Sequence, residues 1–192
     1  MSTHPFPPIR LAEATTYGTA GKAFHWTVVA LVACQFVTAL LLPQIKLDTP
    51  LDTTINLHFN LGLLILAVMA ARLVHRWMRP VPVALGDSPA WQLMLARATH
   101  RLFYVILLVG PFFGWAAASA HSVPVRLFGA VELPALAPRK AEWGFLAGDI
   151  HGYLMWTLLA LIGVHAAAAL YHHLVRHDNT LSRMLFSHAG TP

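Results

Sequence analysis

Two histidines lie inside the most apolar stretch of the sequence, which runs from about Gly148 to Tyr171. The stretch is long enough to cross a bilayer as a helix, since a span needs about 20 residues at about 1.5 Å of rise each. His151 and His165 are fourteen residues apart, close to four helical turns, so they share one face and lie about 21 Å apart along the axis. Ionisable groups at that depth need partners in a bundle interior. Imidazole is a common ligand of haem iron, so the spacing predicts one half of two stacked metal sites.

The composition indicates an integral membrane protein. Of 192 residues, 57% are hydrophobic and 11% are charged, whereas an average soluble domain carries about 25% charged residues. The net charge of +5 is attributed to the topology of the chain in the membrane and to contact with lipid headgroups. No nucleic-acid partner is expected. Cys34 is the single cysteine, which excludes an intramolecular disulfide and the C-x-x-C-H attachment of haem. Any haem is therefore expected to be held non-covalently.

Four apolar stretches predict an all-α fold, an integral membrane four-helix bundle. The predicted spans are residues 23–42, 55–74, 102–120 and 148–171. Pro111 is expected to kink the third helix. The link before that helix is expected to end in a short surface helix near residues 91–96, while prolines argue against a long helix in the link 121–147.

The basic residues predict the orientation of the bundle. Nine arginines and lysines lie in the two tails and the second link, against four in the first and third links. The positive-inside rule then places both termini in the cytoplasm. The expected organisation is a cytoplasmic tail (residues 1–22), a four-helix domain (23–174) and a second cytoplasmic tail (175–192).

This topology sorts four histidines into two pairs of matching depth. His25 opens the first helix and His165 lies near the end of the fourth, so both are expected on the inner side. His58 opens the second helix and His151 opens the fourth, so both are expected on the outer side. Two bis-histidine sites, one in each leaflet, would use all four residues and leave none of them unpaired.

Three other histidines near the helix ends have weaker or alternative roles. His172 is a rival to His165, although it falls at the membrane edge beside His173. His100 opens the third helix and is better placed to bond a haem propionate than to bind iron, and an interfacial histidine without a ligand explains it equally well. The remaining histidines are expected to be solvated or to face headgroups: His4, His75, His121, His177 and His188.

Two glycines beside the candidate ligands could give a flat porphyrin clearance between helices. Gly62 lies one turn from His58 on the same face, and Gly152 follows His151. Close helix packing explains such small residues as well, and both interpretations stay open.

Together these residues resemble the bacterial cytochrome b561 family of di-haem, four-helix membrane proteins. The resemblance rests on His25–Trp26, His58 with Gly62, His151, and the segment HAAAALYHHLVRHDNTLSRML that begins at His165, and it covers about residues 17–185. It implies two b-type haems, held by His25/His165 and His58/His151, in a multi-pass protein of the bacterial inner membrane. It also implies electron transfer between the quinone pool, with ubiquinone as substrate, and a second redox partner.

Several functions remain compatible with this pattern. Some family members are similar to superoxide oxidases, which pass electrons from superoxide to ubiquinone, and others resemble electron-carrying anchors of a larger dehydrogenase or hydrogenase. A proton-coupled transporter is disfavoured because four helices offer little room for a substrate path. In the outer link, Arg126, Arg139 and Lys140 could attract a small anion, or they could be ordinary loop charges offset by Glu132 and Glu142.

Overall fold

A computed structural model describes residues 18–79 and 89–186 of the chain. The described residues form four long helices, one short hairpin and a single 3₁₀ turn. Their bounds are α1 Thr19–Leu40, α2 Thr53–Met78, α3 Ala90–Ala120, β1 Arg126–Leu127, β2 Val131–Glu132, α4 Glu142–Leu174 and the 3₁₀ turn Ser182–Met184. The helices run alternately up and down. We call the end with the start of α1 and the end of α4 the terminal end, and the opposite end the loop end.

Local sequence signals set several of these helix boundaries. The side chain of Asp52 caps α2 by accepting a hydrogen bond from the backbone N–H of Ile55 at 2.8 Å. α3 begins directly after Pro89, whose missing N–H costs nothing at a helix start. Glu142 stands in the first turn of α4, where a carboxylate interacts favourably with the helix dipole.

All four helices are long and apolar enough to span a membrane. The most apolar 18-residue window of α4 is only 6% buried within the protein. Large side chains such as Leu40, Trp77 and Tyr153 are more than two-thirds exposed. A bilayer is the solvent in which such apolar surface is stable, and a helix satisfies its own backbone hydrogen bonds there. The four-helix membrane architecture predicted from composition is therefore confirmed.

The closest helix contact joins α3 to α4. A Cβ atom on Gly144 would lie only 2.5 Å from Cβ of Ala120, so this crossing needs a residue without a side chain. α1 also packs on α2, and α2 on α3. A buried apolar layer fills the middle of the bundle between the two ends and includes Val32, Ile65, Met69, Ile106 and Leu158.

The third helix is longer than predicted. The segment expected as a separate surface helix at 91–96 forms the first turns of α3, which continues without interruption through Pro111. Residues 90–101 are good helix formers but too polar to register as a membrane span, so hydropathy placed the start of the helix about three turns late. α1 likewise begins at Thr19, so that residues 19–22, expected in the tail, are helical.

The long link between α3 and α4 holds no long helix, as its prolines predicted, but it does form a hairpin. Strands β1 and β2 pair antiparallel, with Arg126 opposite Glu132. Asn60 of α2 anchors this hairpin, because its side chain donates to the carbonyl of Arg126 at 2.9 Å and accepts from the N–H of Phe128 at 2.8 Å. The hairpin is thereby held over the loop end.

The segment that follows α4 returns to the start of α1. Lys22 donates a hydrogen bond from Nζ to the carbonyl oxygen of Leu185 at 2.7 Å, and Trp26 donates from its indole nitrogen to that of Met184 at 2.9 Å. Up to Phe186 this segment therefore packs on the terminal end. Residues 1–17 and 187–192 lie outside the described part of the chain.

Candidate functional site

The structure brings the four interior histidines together in two pairs. At the terminal end, the ring centres of His25 on α1 and His165 on α4 are 6.4 Å apart. At the loop end, the ring centres of His58 on α2 and His151 on α4 are also 6.4 Å apart. An imidazole nitrogen binds a transition metal at about 2 Å, so two rings on opposite sides of one iron have centres about 6 Å apart. Both pairs fit this separation.

A cavity of about 470 Å³ opens beside the loop-end pair. This volume lies within the range of about 300–1,000 Å³ that is usual for small-molecule and cofactor sites. All four helices contribute mostly apolar side chains to its wall, together with both histidines and three glycines, namely His58, His151, Gly62, Gly114 and Gly152. A flat, largely apolar group held by the two histidines would fit these surroundings.

The glycines differ in how they keep this space open. A Cβ atom on Gly114 would lie 3.2 Å from Cε1 and Nδ1 of the His151 ring, so a side chain there would press on the histidine. A Cβ atom on Gly62 would lie 3.6 Å from the amide nitrogen of Gln35, and one on Gly152 would meet no described atom within 4 Å. Gly114 is therefore the glycine that the position of His151 most requires.

His151 is oriented by a backbone carbonyl on the neighbouring helix. Its Nδ1 lies 2.9 Å from the carbonyl oxygen of Gly110. A carbonyl only accepts hydrogen bonds, so Nδ1 carries the proton and Nε2 keeps its lone pair. A histidine held this way presents the nitrogen that a metal needs.

His58 is contacted instead by two polar side chains of α1. The amide nitrogen of Gln35 lies 3.2 Å from each ring nitrogen of His58 and 3.1 Å from its backbone oxygen. The hydroxyl of Thr38, a buried residue, lies 3.4 Å from His58 Nδ1. Neither residue is predicted by the spacing of the histidines. A polar Gln35 within an apolar span was the available signal, because such residues usually face a bundle interior.

A third histidine stands beside the terminal-end pair. The ring centre of His100 is 5.5 Å from that of His165, and Phe103 packs on the other side of His165 at 5.4 Å. His100 donates from Nδ1 to the carbonyl of Ala96 at 2.7 Å, one turn earlier in its own helix, so its Nε2 is free to accept or to bind. In this position His100 can bond a haem propionate or serve as an interfacial histidine without a ligand.

His172, the rival to His165, has a different partner. Its Nδ1 donates to the carboxylate of Asp178 at 2.5 Å, and Arg176 lies 3.9 Å from the same oxygen. Burial alone raises the pKa of Asp178, but hydrogen bonds from His172 and Thr180 outweigh it and lower that pKa to about 2. This contact closes the turn after α4.

The other histidines take peripheral positions wherever they are described. His75 packs against Phe24 with ring centres 5.5 Å apart, and His121 donates to the carbonyl of Ala117 at 2.8 Å. His177 is exposed at the turn after α4. His4 and His188 lie outside the described residues.

Two of the three basic residues proposed to attract an anion are already paired. Arg126 lies 3.2 Å from the carboxylate of Glu132, and Arg139 lies 2.5 Å from that of Asp48. The hydrogen bond from Arg139 lowers the pKa of Asp48 below its ordinary value, so this carboxylate is charged at neutral pH. Lys140 is exposed beside them. The positive electrostatic field of this surface is therefore weaker than the number of its basic residues suggests.

The chain matches the prokaryotic cytochrome b561 family over residues 16–187. Cytochrome b561 homolog 2 of Escherichia coli K12 is 31% identical over 171 residues, which are 88% of this chain and 90% of that protein. Cytochrome b561 homolog 1 of the same organism is 32% identical over 130 residues, covering 67% and 72% of the two chains. A probable superoxide oxidase, CybB, of Yersinia pestis is 31% identical over 135 residues, covering 67% and 73%. This chain belongs to the prokaryotic cytochrome b561 family, a family of membrane proteins that bind b-type haem.

Proposed function

We propose that the chain is a di-haem b-type cytochrome that transfers electrons across the membrane, between the quinone pool and a second redox partner. His25 and His165 hold one haem at the terminal end, and His58 and His151 hold the other at the loop end. The observation that carries this proposal is the equal ring separation of 6.4 Å in both pairs. Two pairs at opposite depths, joined by one helix, are the arrangement that a transmembrane electron path requires.

The residues of the chain limit the chemistry to electron transfer. When bound, b-type haem supplies reversible one-electron chemistry at its iron. At each site two imidazoles would hold the iron, and a site held by two protein ligands disfavours binding of oxygen at the metal. The apolar wall of the loop-end cavity excludes water, and the hydrogen bond from His151 to Gly110 holds its ligand nitrogen in place.

We place the protein in the bacterial inner membrane with its terminal end facing the cytoplasm. The support is the uneven distribution of basic residues, nine against four. The loop end then faces outward, and the hairpin covers part of it. The loop-end pair lies nearest to an external donor in this orientation.

Superoxide is the donor that we propose at the loop end, with ubiquinone as the acceptor. One relative at 31% identity is named a probable superoxide oxidase, and a small anion can reach an exposed loop surface without a docking interface. A cytochrome subunit that serves a larger dehydrogenase or hydrogenase is the alternative, and it would have no activity alone.

The test uses the purified full-length chain. Pyridine haemochrome analysis should give about two b-type haems per chain, and acid–acetone should extract all of them. Mixing with superoxide should then reduce the haem iron, seen as a rise of the reduced α-band, and a soluble ubiquinone analogue should reoxidise it. A ratio near one haem per chain contradicts the two-site arrangement. Two haems without either reaction would favour the subunit role.

A further inference from the structure

We propose that Gln35 is the positioning residue of His58, and that its side-chain amide sets the direction and the proton position of that imidazole. The inference rests on the proposed function, because it assumes that His58 binds iron. Gln35 lies on α1, opposite His58 on α2, and both residues line the loop-end cavity. Its amide nitrogen contacts both ring nitrogens and the backbone oxygen of His58 at 3.1–3.2 Å.

Thr38 indicates which ring nitrogen of His58 carries the proton. The hydroxyl of Thr38 donates its hydrogen to the backbone oxygen of Gln35 at 2.9 Å. Toward His58 Nδ1, 3.4 Å away, this oxygen can therefore only accept. Acceptance requires the proton on Nδ1, which leaves the lone pair on Nε2, the nitrogen that a metal would use.

The amide oxygen of Gln35 is the group that this arrangement leaves unused. It is buried and has no hydrogen-bond partner among the described residues. If the amide rotates, this oxygen can accept from the Nδ1–H of His58, and the amide nitrogen leaves both the Nε2 lone pair and the backbone oxygen of His58. The rotation exchanges the hydrogen bond to the backbone oxygen of His58 for one from its Nδ1–H, and it removes the amide N–H from the ligand nitrogen, so iron binding favours the rotated amide.

The two loop-end ligands thus depend on different kinds of support. His151 is held by the backbone carbonyl of Gly110, which no side-chain substitution removes, whereas His58 is held by a side chain. Partners of this kind raise the basicity of the ligand, and their loss typically weakens metal binding about 10–100-fold. Substitution at Gln35 should therefore alter one site selectively.

Gln35→Leu and Gln35→Glu separate this role from a packing role. Leucine removes both polar atoms, whereas glutamate keeps an acceptor for the Nδ1–H. Gln35→Leu should raise the midpoint potential of one haem, leave the other unchanged, and weaken haem retention at that site about 10–100-fold. Gln35→Glu should lower the same midpoint and retain haem, because a carboxylate is the stronger acceptor. Redox titration in the visible region and competition for haem by apomyoglobin give the two readouts.

Thr38→Val provides a second, milder test, and Thr157→Val is its matched control. Thr157 also bonds a carbonyl of its own helix, that of Tyr153 at 2.8 Å, but it is exposed. Thr38→Val should raise the midpoint potential of the same haem as Gln35→Leu does. Thr157→Val should leave the midpoint potentials of both haems unchanged. This pair decides the question if the Gln35 variants do not fold.

The inference fails if Gln35→Leu leaves both midpoints and haem retention unchanged, or shifts the midpoint in the same direction as Gln35→Glu. If the Gln35 variants do not fold, the inference also fails when Thr38→Val and Thr157→Val have the same midpoint potentials. The parent proposal is tested separately by His58→Ala in the otherwise unchanged chain. If that variant keeps both haems, His58 is not a ligand and both ideas fail together.

Discussion

His151 on α4 donates a hydrogen bond to the carbonyl oxygen of Gly110 on α3 at 2.9 Å. This contact crosses the tightest helix interface of the bundle, so the packing of α3 against α4 fixes a side chain that faces α2. Pro111 follows Gly110 directly and lies inside the helix. The proline that the sequence marks as a potential kink therefore adjoins the group that orients a proposed ligand.

Replacement of the four proposed ligands should remove haem in two groups. His58→Ala and His151→Ala should each lose the loop-end haem, and His25→Ala and His165→Ala should each lose the other, because the structure pairs them in this way. Haemochrome analysis should fall from about two haems to about one per chain, and redox titration should show which component remains. Loss of the same component in His151→Ala and His165→Ala would contradict the pairing.

His100→Ala and His172→Ala are the matched controls for these variants. His100 is close to the terminal-end pair but donates to Ala96, and His172 is bonded to Asp178. Both variants should therefore keep two haems. A haem lost from His172→Ala but kept in His165→Ala would show that the wrong member of this pair had been chosen.

Gly114→Ala should impair the loop-end site while the bundle remains folded. The added Cβ would lie 3.2 Å from the His151 ring, so the ring must shift by a few tenths of an ångström and its bond to Gly110 weakens. Haem retention at that site should fall about 10-fold or more, by loss of the supporting contact. The measurement is haem transfer to apomyoglobin, followed for each component.

Gly163→Ala is the control for this change. It lies on the same helix as His151, and its added Cβ would meet no described atom within 4 Å. Alanine should be neutral or slightly favourable there, since it is the better helix former. Equal haem retention in the two alanine variants would show that Gly114 has no role in clearance.

Asp178→Asn should lower stability in a pH-dependent way. The pKa of Asp178 is lowered to about 2 in the folded chain, so its stabilisation is present above the unfolded value of about 4 and is lost as the pH falls through about 2. The carboxylate is one-third exposed. Screening therefore limits the expected loss to about 1 kcal/mol at pH 7.

Thermal unfolding of the detergent-solubilised protein between pH 7 and pH 2 measures this effect. The wild type and Asp178→Asn should differ at pH 7 and converge toward pH 2. Asp149→Asn serves as a control because Asp149 is an exposed carboxylate in the second turn of α4. If the difference in thermal stability between the two proteins is the same at pH 2 as at pH 7, the loss of stability comes from packing rather than from charge.

Superoxide-dependent haem reduction should depend only weakly on salt. Arg126 and Arg139 are paired with Glu132 and Asp48, so the loop end has little net field with which to steer an anion. Between 10 mM and 0.5 M salt we expect the stopped-flow rate to change less than about 10-fold, the lower bound for strong steering. A steeper fall would show that the basic residues act despite their partners.

The double variant Asp48→Asn/Glu132→Gln tests whether the paired carboxylates weaken the attraction of superoxide to the loop end. Removal of both carboxylates exposes the charges of Arg126 and Arg139, and exposed ion pairs of this kind contribute little to stability. The rate at low salt should rise, and its salt dependence should become steep as the screening length shortens to about 10 Å at 0.1 M. An unchanged rate would indicate that superoxide does not react at this surface.

The amino-acid sequence determined the membrane class, the number of helices and the pairing by depth. Apolar length is a local property, so four spans follow from hydropathy alone. The spacing of His151 and His165 is also local, because helical geometry converts fourteen residues into a distance along one axis. Successive helices cross the membrane in opposite directions. His25 and His58, each near the start of its helix, therefore fall at opposite ends of the bundle.

Only the tertiary structure decided how the rings are supported. The bond from His151 to Gly110 and the contacts of Gln35 with His58 each join two helices. Such contacts depend on how far each helix is rotated about its own axis, and packing across the whole bundle sets that rotation. The hairpin and its ion pairs likewise arise from the path of a loop, for which neither periodicity nor hydropathy gives a rule.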